Sequence, residues 1–249
     1  MSQKRIVIMG ATSGIGHHAA RLFAEAGWKV GIAGRRIEKL ESLRKEFPEQ
    51  IATSQIDITT ESATEELLNL IERLGGMDTY LHVSGIGFQN HQLATDIELN
   101  IVRTNAEGFT RMIDTAYGYL ASHGGGHIAA ISSIAGTRGL GSAPAYSATK
   151  RYQNCYIDSL AQLSNMNRAG ITFTDIRPGF VGTALLSDGE SYPMLMSVEK
   201  VARKVFRAVS KHRRRVVIDW RYGVLVALWR MIPQWLWERL RFVKTAKKR

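Results

Sequence analysis

The sequence predicts an α/β fold in which a single domain holds a doubly wound parallel sheet, followed by a helical extension at the C-terminus. Three observations lead to this prediction. Short apolar runs alternate with amphipathic stretches of helical length through the first 210 residues. A glycine-rich turn follows the first apolar run. The region after residue 211 carries most of the basic charge and four of the five tryptophans.

The apolar runs predict parallel strands, because a strand that is covered by helices on both faces is apolar at nearly every position. They are residues 5–9, 29–33, 51–56, 79–83, 127–131 and 171–176, with one last strand at 215–218. Between them, residues 37–47 and 61–74 carry apolar side chains at spacings of three and four, as amphipathic helices do. The chain therefore divides into a body, residues 1–218, and an extension, residues 219–249.

Composition and charge bound the possible functions. The chain has 249 residues and one cysteine, Cys155, so no intrachain disulfide can form and a reducing, cytoplasmic location is favoured. The first apolar stretch, residues 6–9, is too short for a secretory signal and fits a strand. Residues 211–249 hold 12 basic and two acidic residues, whereas the first 210 hold 21 and 20. The net charge of +11 thus lies mainly in the C-terminal segment that begins at residue 211.

The turn GATSGIG, residues 10–16, has the pattern of a phosphate cradle. A strand, a glycine-rich turn and a helix start leave backbone N–H groups and a helix dipole facing an anion. Gly10 permits the turn, Gly14 lets the backbone approach a pyrophosphate, and Gly16 permits close helix packing. The same residues also fit a bare strand-to-helix turn. The candidate cofactor contacts in this turn are Gly10, Thr12, Ser13, Gly14, Ile15 and Gly16.

The end of the second strand favours NADP over NAD. NAD-preferring proteins place an acidic residue there to bind the ribose hydroxyl, but this chain has Gly34 followed by Arg35 and Arg36. Guanidinium groups pair with the 2′-phosphate of NADP. The alternative is that the two arginines open a solvated helix. Asp57, after the third strand, is placed to reach the adenine or to cap a helix.

The stretch YSATK, residues 146–150, contains a candidate acid–base pair. On a helix, Tyr146 and Lys150 share a face one turn apart. A tyrosine has an ordinary pKa of about 10, and a nearby ammonium group lowers it by stabilising the phenolate. An exposed Tyr/Lys pair without any catalytic role fits the same spacing, so the interpretation depends on the accompanying motifs.

Taken together, the motifs resemble the short-chain dehydrogenase/reductase family in its NADP-preferring form, over roughly residues 4–210. The resemblance rests on the glycine turn, NAEG at 105–108, a serine in ISSIAG at 131–136, Tyr-x3-Lys, and RPGFVGT at 177–183, all in the family's order. It implies a Rossmann-like sheet and hydride transfer between a nicotinamide and a carbonyl/alcohol pair.

The resemblance also implies residue roles. Tyr146 would give its proton to the carbonyl oxygen or take one from the alcohol, and Ser133 would hydrogen-bond the same oxygen. Lys150 would lower the Tyr146 pKa and bind the nicotinamide ribose. Asn105 would hold a water that links Lys150 to solvent.

The loop after the sixth strand is expected to contact the nicotinamide. Pro178 and Gly179 would shape the loop beneath it, with Val181 beside them, and Thr183 would bond the carboxamide. Two positions depart from the family pattern. Met9 replaces the usual Thr or Ser, and Ser84 replaces an asparagine that ties neighbouring strands, so we expect a changed local hydrogen bond rather than lost activity.

No metal site is expected, because the seven histidines show no metal-ligand spacing with the cysteine. Residues 184–197 would form a mobile, apolar cover over the substrate, which argues against a small charged substrate. The alternative is that its apolar side chains pack on the core; they are Leu185, Leu186, Tyr192, Met194, Leu195 and Met196.

The extension admits two main interpretations. Its segment 224–237 contains Arg230 and Pro233 and is too short to cross a bilayer of roughly 30 Å, but tryptophans and basic residues suit a membrane surface. It also suits packing over the substrate pocket or a subunit contact. A nucleic-acid partner is not favoured, because no recognised binding fold accompanies the charge.

The sequence thus predicts an NADP(H)-dependent oxidoreductase that acts on a small apolar or lipid-like carbonyl or alcohol, with Tyr146 as general acid and base. The resemblance implies a homodimer or homotetramer that pairs through the helices carrying Asn105 and Tyr146. The alternative is a non-catalytic NADPH sensor or docking protein of the same fold, which would need no proton relay.

Overall fold

A computed structural model of the chain describes residues 3–183 and 192–240. The strands are β1 (Arg5–Met9), β2 (Lys29–Gly34), β3 (Ile51–Gln55), β4 (Thr79–His82), β5 (Gly126–Ile131), β6 (Ile171–Pro178) and β7 (Arg215–Ile218). The α-helices are α1 (Gly14–Glu25), α2 (Ile37–Glu46), α3 (Ala63–Arg73), α4 (Thr95–Val102), α5 (Phe109–Ser122), α6 (Pro144–Asn167), α7 (Val198–Ser210), α8 (Trp220–Met231) and α9 (Gln234–Trp237).

The strands form one sheet in the order β3-β2-β1-β4-β5-β6-β7, and every pairing is parallel. This confirms the doubly wound fold, with the order reversing between β1 and β4. Every predicted strand agrees with the structure within two residues at each end. The carboxyl ends of β1 and β4 therefore meet at the switch point where such sheets bind ligands.

The alternating side chains of β1 show why its sequence is continuously apolar. Ile6 and Ile8 pack into a core with α1, α2 and α7 on one face, whereas Val7 and Met9 pack into a core with α3, α5 and α6 on the other. All four side chains are fully buried. A strand buried on both faces needs apolar residues at successive positions, which is the pattern that predicted it.

The extension packs on the body along one side. Tyr222 and Val226 of α8 enter the core on the α1 and α7 face. The indole nitrogen of Trp229 donates to the Thr137 hydroxyl at 2.9 Å, and that of Trp237 donates to the Gly139 carbonyl at 2.9 Å. This inner side of the extension therefore covers the loop between β5 and α6.

Candidate active site

The glycine turn between β1 and α1 is too tightly packed for side chains. A Cβ on Gly10 would lie 2.6 Å from the backbone nitrogen of Ser84, and a Cβ on Gly16 would overlap the carbonyl of Gly10. Gly14 has a φ of +56°, in the left-handed region that favours glycine. Ser13 precedes the helix in extended conformation without bonding the first turn through its side chain. The first-turn N–H groups of α1 can therefore meet a phosphate.

Arg36 lies across this turn. Its guanidinium donates to the hydroxyl of Thr12 at 2.8 Å and to that of Ser13 at 2.9 Å. A positive side chain thus stands between the glycine turn and the end of β2, where the 2′-phosphate of NADP would lie. The residues present fit a phosphorylated dinucleotide.

Asp57 makes a local turn after β3. Its carboxylate accepts from the backbone nitrogen of Thr59 at 3.0 Å and from the Thr59 hydroxyl at 2.8 Å. Burial acts to raise the pKa of Asp57, but these hydrogen bonds and the charge of Arg35 outweigh it, so its pKa is lowered. Asp57 therefore stabilises a turn and does not cap a helix, since α3 begins at Ala63 with Ser62 at its N-cap. An adenine contact stays a prediction.

The structure brings the candidate catalytic side chains to the carboxyl end of β5. Ser133 follows that strand and begins a 3-10 turn, where its hydroxyl accepts from the Ala135 nitrogen at 3.0 Å. Pro144 begins α6, and Tyr146 and Lys150 lie in its first two turns. The Lys150 ammonium lies 5.8 Å from the centre of the Tyr146 ring. Gly87 covers that ring, since a Cβ there would lie 2.6 Å from Tyr146 Cδ2.

Burial is the largest cause of the pKa shifts of Tyr146 and Lys150. It raises the pKa of Tyr146, and a hydrogen bond with Ser133 acts the other way but does not cancel it. It lowers the pKa of the buried Lys150 to about 8, against the opposing charge of Asp175. The sequence-based expectation was a lowered Tyr146 pKa. The structure differs from this expectation because the loss of water around the phenolate is more unfavourable than the Ser133 hydrogen bond is favourable.

Asn105 is fully buried in a π-helical turn, Arg103–Gly108, that joins α4 to α5. Its side-chain oxygen accepts from the Ile86 nitrogen at 2.9 Å, and its amide donates to the Ile86 carbonyl at 2.7 Å. The side chain therefore fixes the loop that follows β4. Its backbone carbonyl points instead toward α6.

Gln153 is a site residue that the sequence analysis missed. Its side-chain oxygen accepts from the Lys150 ammonium at 2.9 Å, while its amide nitrogen donates to the Asn105 carbonyl at 2.8 Å. The side chain is buried and bridges the two residues. The resemblance assigns a water to the Asn105–Lys150 link, and here a protein amide spans it. The available signal was its position three residues after Lys150, on the same helix face.

A second buried group beneath Lys150 was also missed. Asp175 on β6 accepts from the hydroxyl of Ser132 and pairs with the guanidinium of Arg177, whose Nε lies 2.7 Å away. The Asn154 amide donates to the Lys150 carbonyl at 2.6 Å. The Asp175 carboxylate thus neutralises the Arg177 guanidinium. It also lies near enough to Lys150 to favour the charged form of that side chain.

The loop after β6 rests on the extension. The Tyr222 hydroxyl accepts from the Phe180 nitrogen at 3.1 Å and donates to the Pro193 carbonyl at 2.9 Å. A Cβ on Gly179 would overlap the Tyr222 ring, so the loop needs glycine there. Sequence gave no sign of this contact, because 42 residues separate Phe180 from Tyr222.

Of the other predicted residues of this loop, Pro178 lies beside a candidate catalytic residue and Thr183 lies beside the glycine turn. The carbonyl of Pro178 lies 3.5 Å from the Ser133 hydroxyl. Val181 is buried, and Thr183 faces the glycine turn, where a Cβ on Gly14 would lie 3.3 Å from its methyl group. Cofactor and catalytic residues are thereby joined through this loop. Of the expected substrate cover, residues 184–191, with Leu185 and Leu186, lie outside the described residues.

The two departures from the family pattern meet at the switch point. The backbone nitrogens of Val83 and Ser84 donate to the Met9 carbonyl at 2.8 and 3.0 Å. Backbone hydrogen bonds therefore tie β4 to β1 at the position where the family uses an asparagine.

Comparisons with known proteins agree with this geometry. The sequence matches the short chain dehydrogenase family over residues 4–191. It is 27% identical over 245 residues to an uncharacterized oxidoreductase of Myxococcus xanthus (strain DK1622), covering 96% of each chain. It is 30% identical over 181 residues to the NADP-dependent 3-hydroxy acid dehydrogenase YdfG of Salmonella typhi, covering 71% of this chain and 72% of that protein.

A solved structure described as "ElxO with NADP Bound" shares the fold. Its TM-score is 0.77 at 24% sequence identity, and the match covers 88% of this chain and 98% of that one.

Proposed function

The chain belongs to the short-chain dehydrogenase family, and from this membership we propose that it is a cytoplasmic NADP(H)-dependent oxidoreductase. It would interconvert a carbonyl and a secondary alcohol on an apolar or lipid-like substrate. The observation that carries the proposal is the meeting of Ser133, Tyr146 and Lys150 at the carboxyl end of β5, beside a glycine turn that fits a dinucleotide.

Each side chain would have one task in reduction. The Tyr146 hydroxyl gives a proton to the substrate oxygen, and Ser133 donates a hydrogen bond to the same atom as negative charge develops there. Lys150 holds a positive charge near the tyrosine, which favours the phenolate that remains. NADPH, when bound, supplies the hydride. In oxidation the same residues act in reverse.

NADP preference is supported by Arg36, which is held at the glycine turn by two hydroxyl groups. ElxO was solved with NADP, and YdfG is described as NADP-dependent. Arg35→Ala and Arg36→Ala should together weaken NADPH binding by about tenfold or more, because charge-assisted contacts to the 2′-phosphate are lost. NADH binding, measured by fluorescence titration, should change little. Equal losses for both nucleotides would remove the basis of this preference.

An apolar substrate is supported by the aromatic residues beside the loop after β6. The rings of Phe180 and Tyr192 lie 4.7 Å apart, and the Tyr222 ring lies 6.4 Å from Phe180. Phe180 and Tyr192 are partly exposed and offer an apolar surface near the proposed nicotinamide position, whereas the Tyr222 ring is fully buried.

The decisive assay follows NADPH oxidation with carbonyl compounds from short polar ketones to long-chain acyl ketones. Tyr146→Phe is the matched blank, because it removes only the hydroxyl. Turnover that rises with chain length and vanishes in the variant is the expected result. Tight NADPH binding without turnover on any compound would instead favour the sensor, in which Tyr146→Phe changes nothing.

The protein is also proposed to form a homo-oligomer through α5 and α6. Exposed apolar side chains on α6, Tyr152 and Leu163, support this pairing. Light scattering after size-exclusion chromatography should give a dimer or tetramer mass, and a monomer at working concentrations would contradict it.

A further inference from the structure

The outward side of the extension is apolar although its inward side is already packed. We propose that this outer face, formed by Trp220, Val224, Leu228, Met231 and Trp235, docks on the surface of an anionic lipid bilayer. The body, residues 1–218, would then meet the bilayer through the outer side of α8 and α9.

Helical spacing separates the two sides of α8. Tyr222, Val226 and Trp229 point into the protein, at intervals of four and three residues. Trp220, Val224 and Leu228 repeat at intervals of four on the other side, with Met231 one turn further. A helix that is apolar on two sides but buried on only one of them leaves a face that favours a second apolar environment.

The exposure of this face is unusually high. The exposed fractions are 77% for Trp220, 50% for Val224, 59% for Leu228, 79% for Met231 and 59% for Trp235. Isolated apolar side chains are common on protein surfaces, but a contiguous row marks an interaction site. Tryptophan and methionine at its ends suit the boundary between lipid headgroups and acyl chains.

The surrounding charge identifies the partner as anionic. Arg230 on α8 is exposed, and the Arg239 guanidinium lies 5.6 Å from the centre of the Trp235 ring, one of the side chains of this face. Residues 241–249, which follow the described part, hold five basic residues and no acidic one. Basic residues next to an apolar helix face add attraction to anionic lipid to the burial of apolar side chains.

A second copy of the chain fits this face less well. A twofold dimer through it would bring the same basic segments together, and like charges oppose such a contact. A span of the bilayer does not fit either, since no helix within residues 3–183 and 192–240 is long and apolar enough to cross it. A helix that lies parallel to the bilayer surface is consistent with the short length of α8 and with the basic residues near its outer face.

The test uses the full-length protein and vesicles of equal parts phosphatidylglycerol and phosphatidylcholine. The wild type should sediment with these vesicles at low salt, and less at high salt or with pure phosphatidylcholine. The double variant Leu228→Glu/Met231→Glu should bind more than about tenfold less, because two apolar anchors become anions. No substrate is involved, so the result is independent of the proposed reaction.

Met166→Glu is the matched control. Met166 is 72% exposed but lies at the end of α6 that leads into the amino end of β6, whereas the extension follows the carboxyl end of β7. It should sediment like the wild type. With bromine-labelled acyl chains, Trp235→Phe should reduce the quenching of tryptophan fluorescence, whereas Trp28→Phe in the core should not.

Two results would overturn the proposal. Equal sedimentation of the wild type and the double variant would assign binding to the basic residues alone. A wild type that stays in the supernatant, with a lower oligomeric mass for the double variant, would assign the face to a second copy of the chain.

Discussion

Replacing Gln153 by leucine tests whether its amide shifts the pKa of Lys150, the proposed catalytic lysine. The substitution keeps a buried side chain of similar size but removes the acceptor that lies 2.9 Å from the Lys150 ammonium. It also removes the donor to the Asn105 carbonyl. The substitution therefore destabilises the charged form of Lys150 more than the neutral form, because an ammonium group needs more hydrogen-bond acceptors than a neutral amine.

The expected size follows from the hydrogen bond. A hydrogen bond to a charged group contributes about 1.5–3 kcal/mol, and each pKa unit corresponds to about 1.4 kcal/mol. The pKa of Lys150, about 8 in the wild type, should therefore fall by about one to two units in Gln153→Leu. Activity that needs the ammonium is lost as pH rises through this pKa, so the basic limb should move to lower pH.

The assay is the pH profile of kcat/KM, which reports the groups of the free enzyme. Gln153→Glu should move the limb the other way, because a carboxylate stabilises the ammonium more strongly than an amide. Gln162→Leu, the same substitution at an exposed position of α6, should leave the profile in place. A profile lowered uniformly in Gln153→Leu, with no shift along the pH axis, would refute the reasoning and leave only a packing role.

Three further predictions concern stability, measured by denaturant titration. Gly179→Ala should cost about 1–3 kcal/mol because its Cβ overlaps the Tyr222 ring, whereas Gly182→Ala, with its nearest contact at 3.7 Å, should cost less. Asp175→Asn should cost about 3–5 kcal/mol, because it leaves a buried guanidinium unpaired. Burial lowers the pKa of His82 to about 3 from 6.5, so the unfolded chain binds more protons between these values. The free energy of unfolding should therefore fall as pH drops below about 6.5, and His82→Leu should flatten that decline.

The sheet could be predicted because its signals are local. Each strand is buried on both faces and leaves an apolar run in the sequence, so the predicted bounds hold within two residues. The π-helical turn at Asn105 left no such signal. Within this turn Gly108 packs against Ile58, and such a contact between distant parts of the chain leaves no local pattern in the sequence.

The candidate site shows the same difference between residues with a local sequence pattern and residues placed by distant contacts. Tyr146 and Lys150 lie one turn apart in the sequence, and their spacing alone placed them on one face. Gln153 shares that face, but a polar residue on a helix more often faces solvent, so its burial could not be read from the pattern. For α8 the sequence left packing and membrane contact open, because a helix with apolar residues on two sides does not show which side is buried.

The Tyr222 hydroxyl has a consequence for protein engineering. It joins the Phe180 nitrogen, on the loop after β6, to the Pro193 carbonyl near the start of α7. Trimming the chain at residue 218 to remove the aromatic helices would therefore leave an unpaired backbone nitrogen and a vacant space beside Gly179. Such a shortened protein would combine lost surface binding with a weakened active-site loop. Point substitutions on the outer face separate the two effects, because they leave Tyr222 in place.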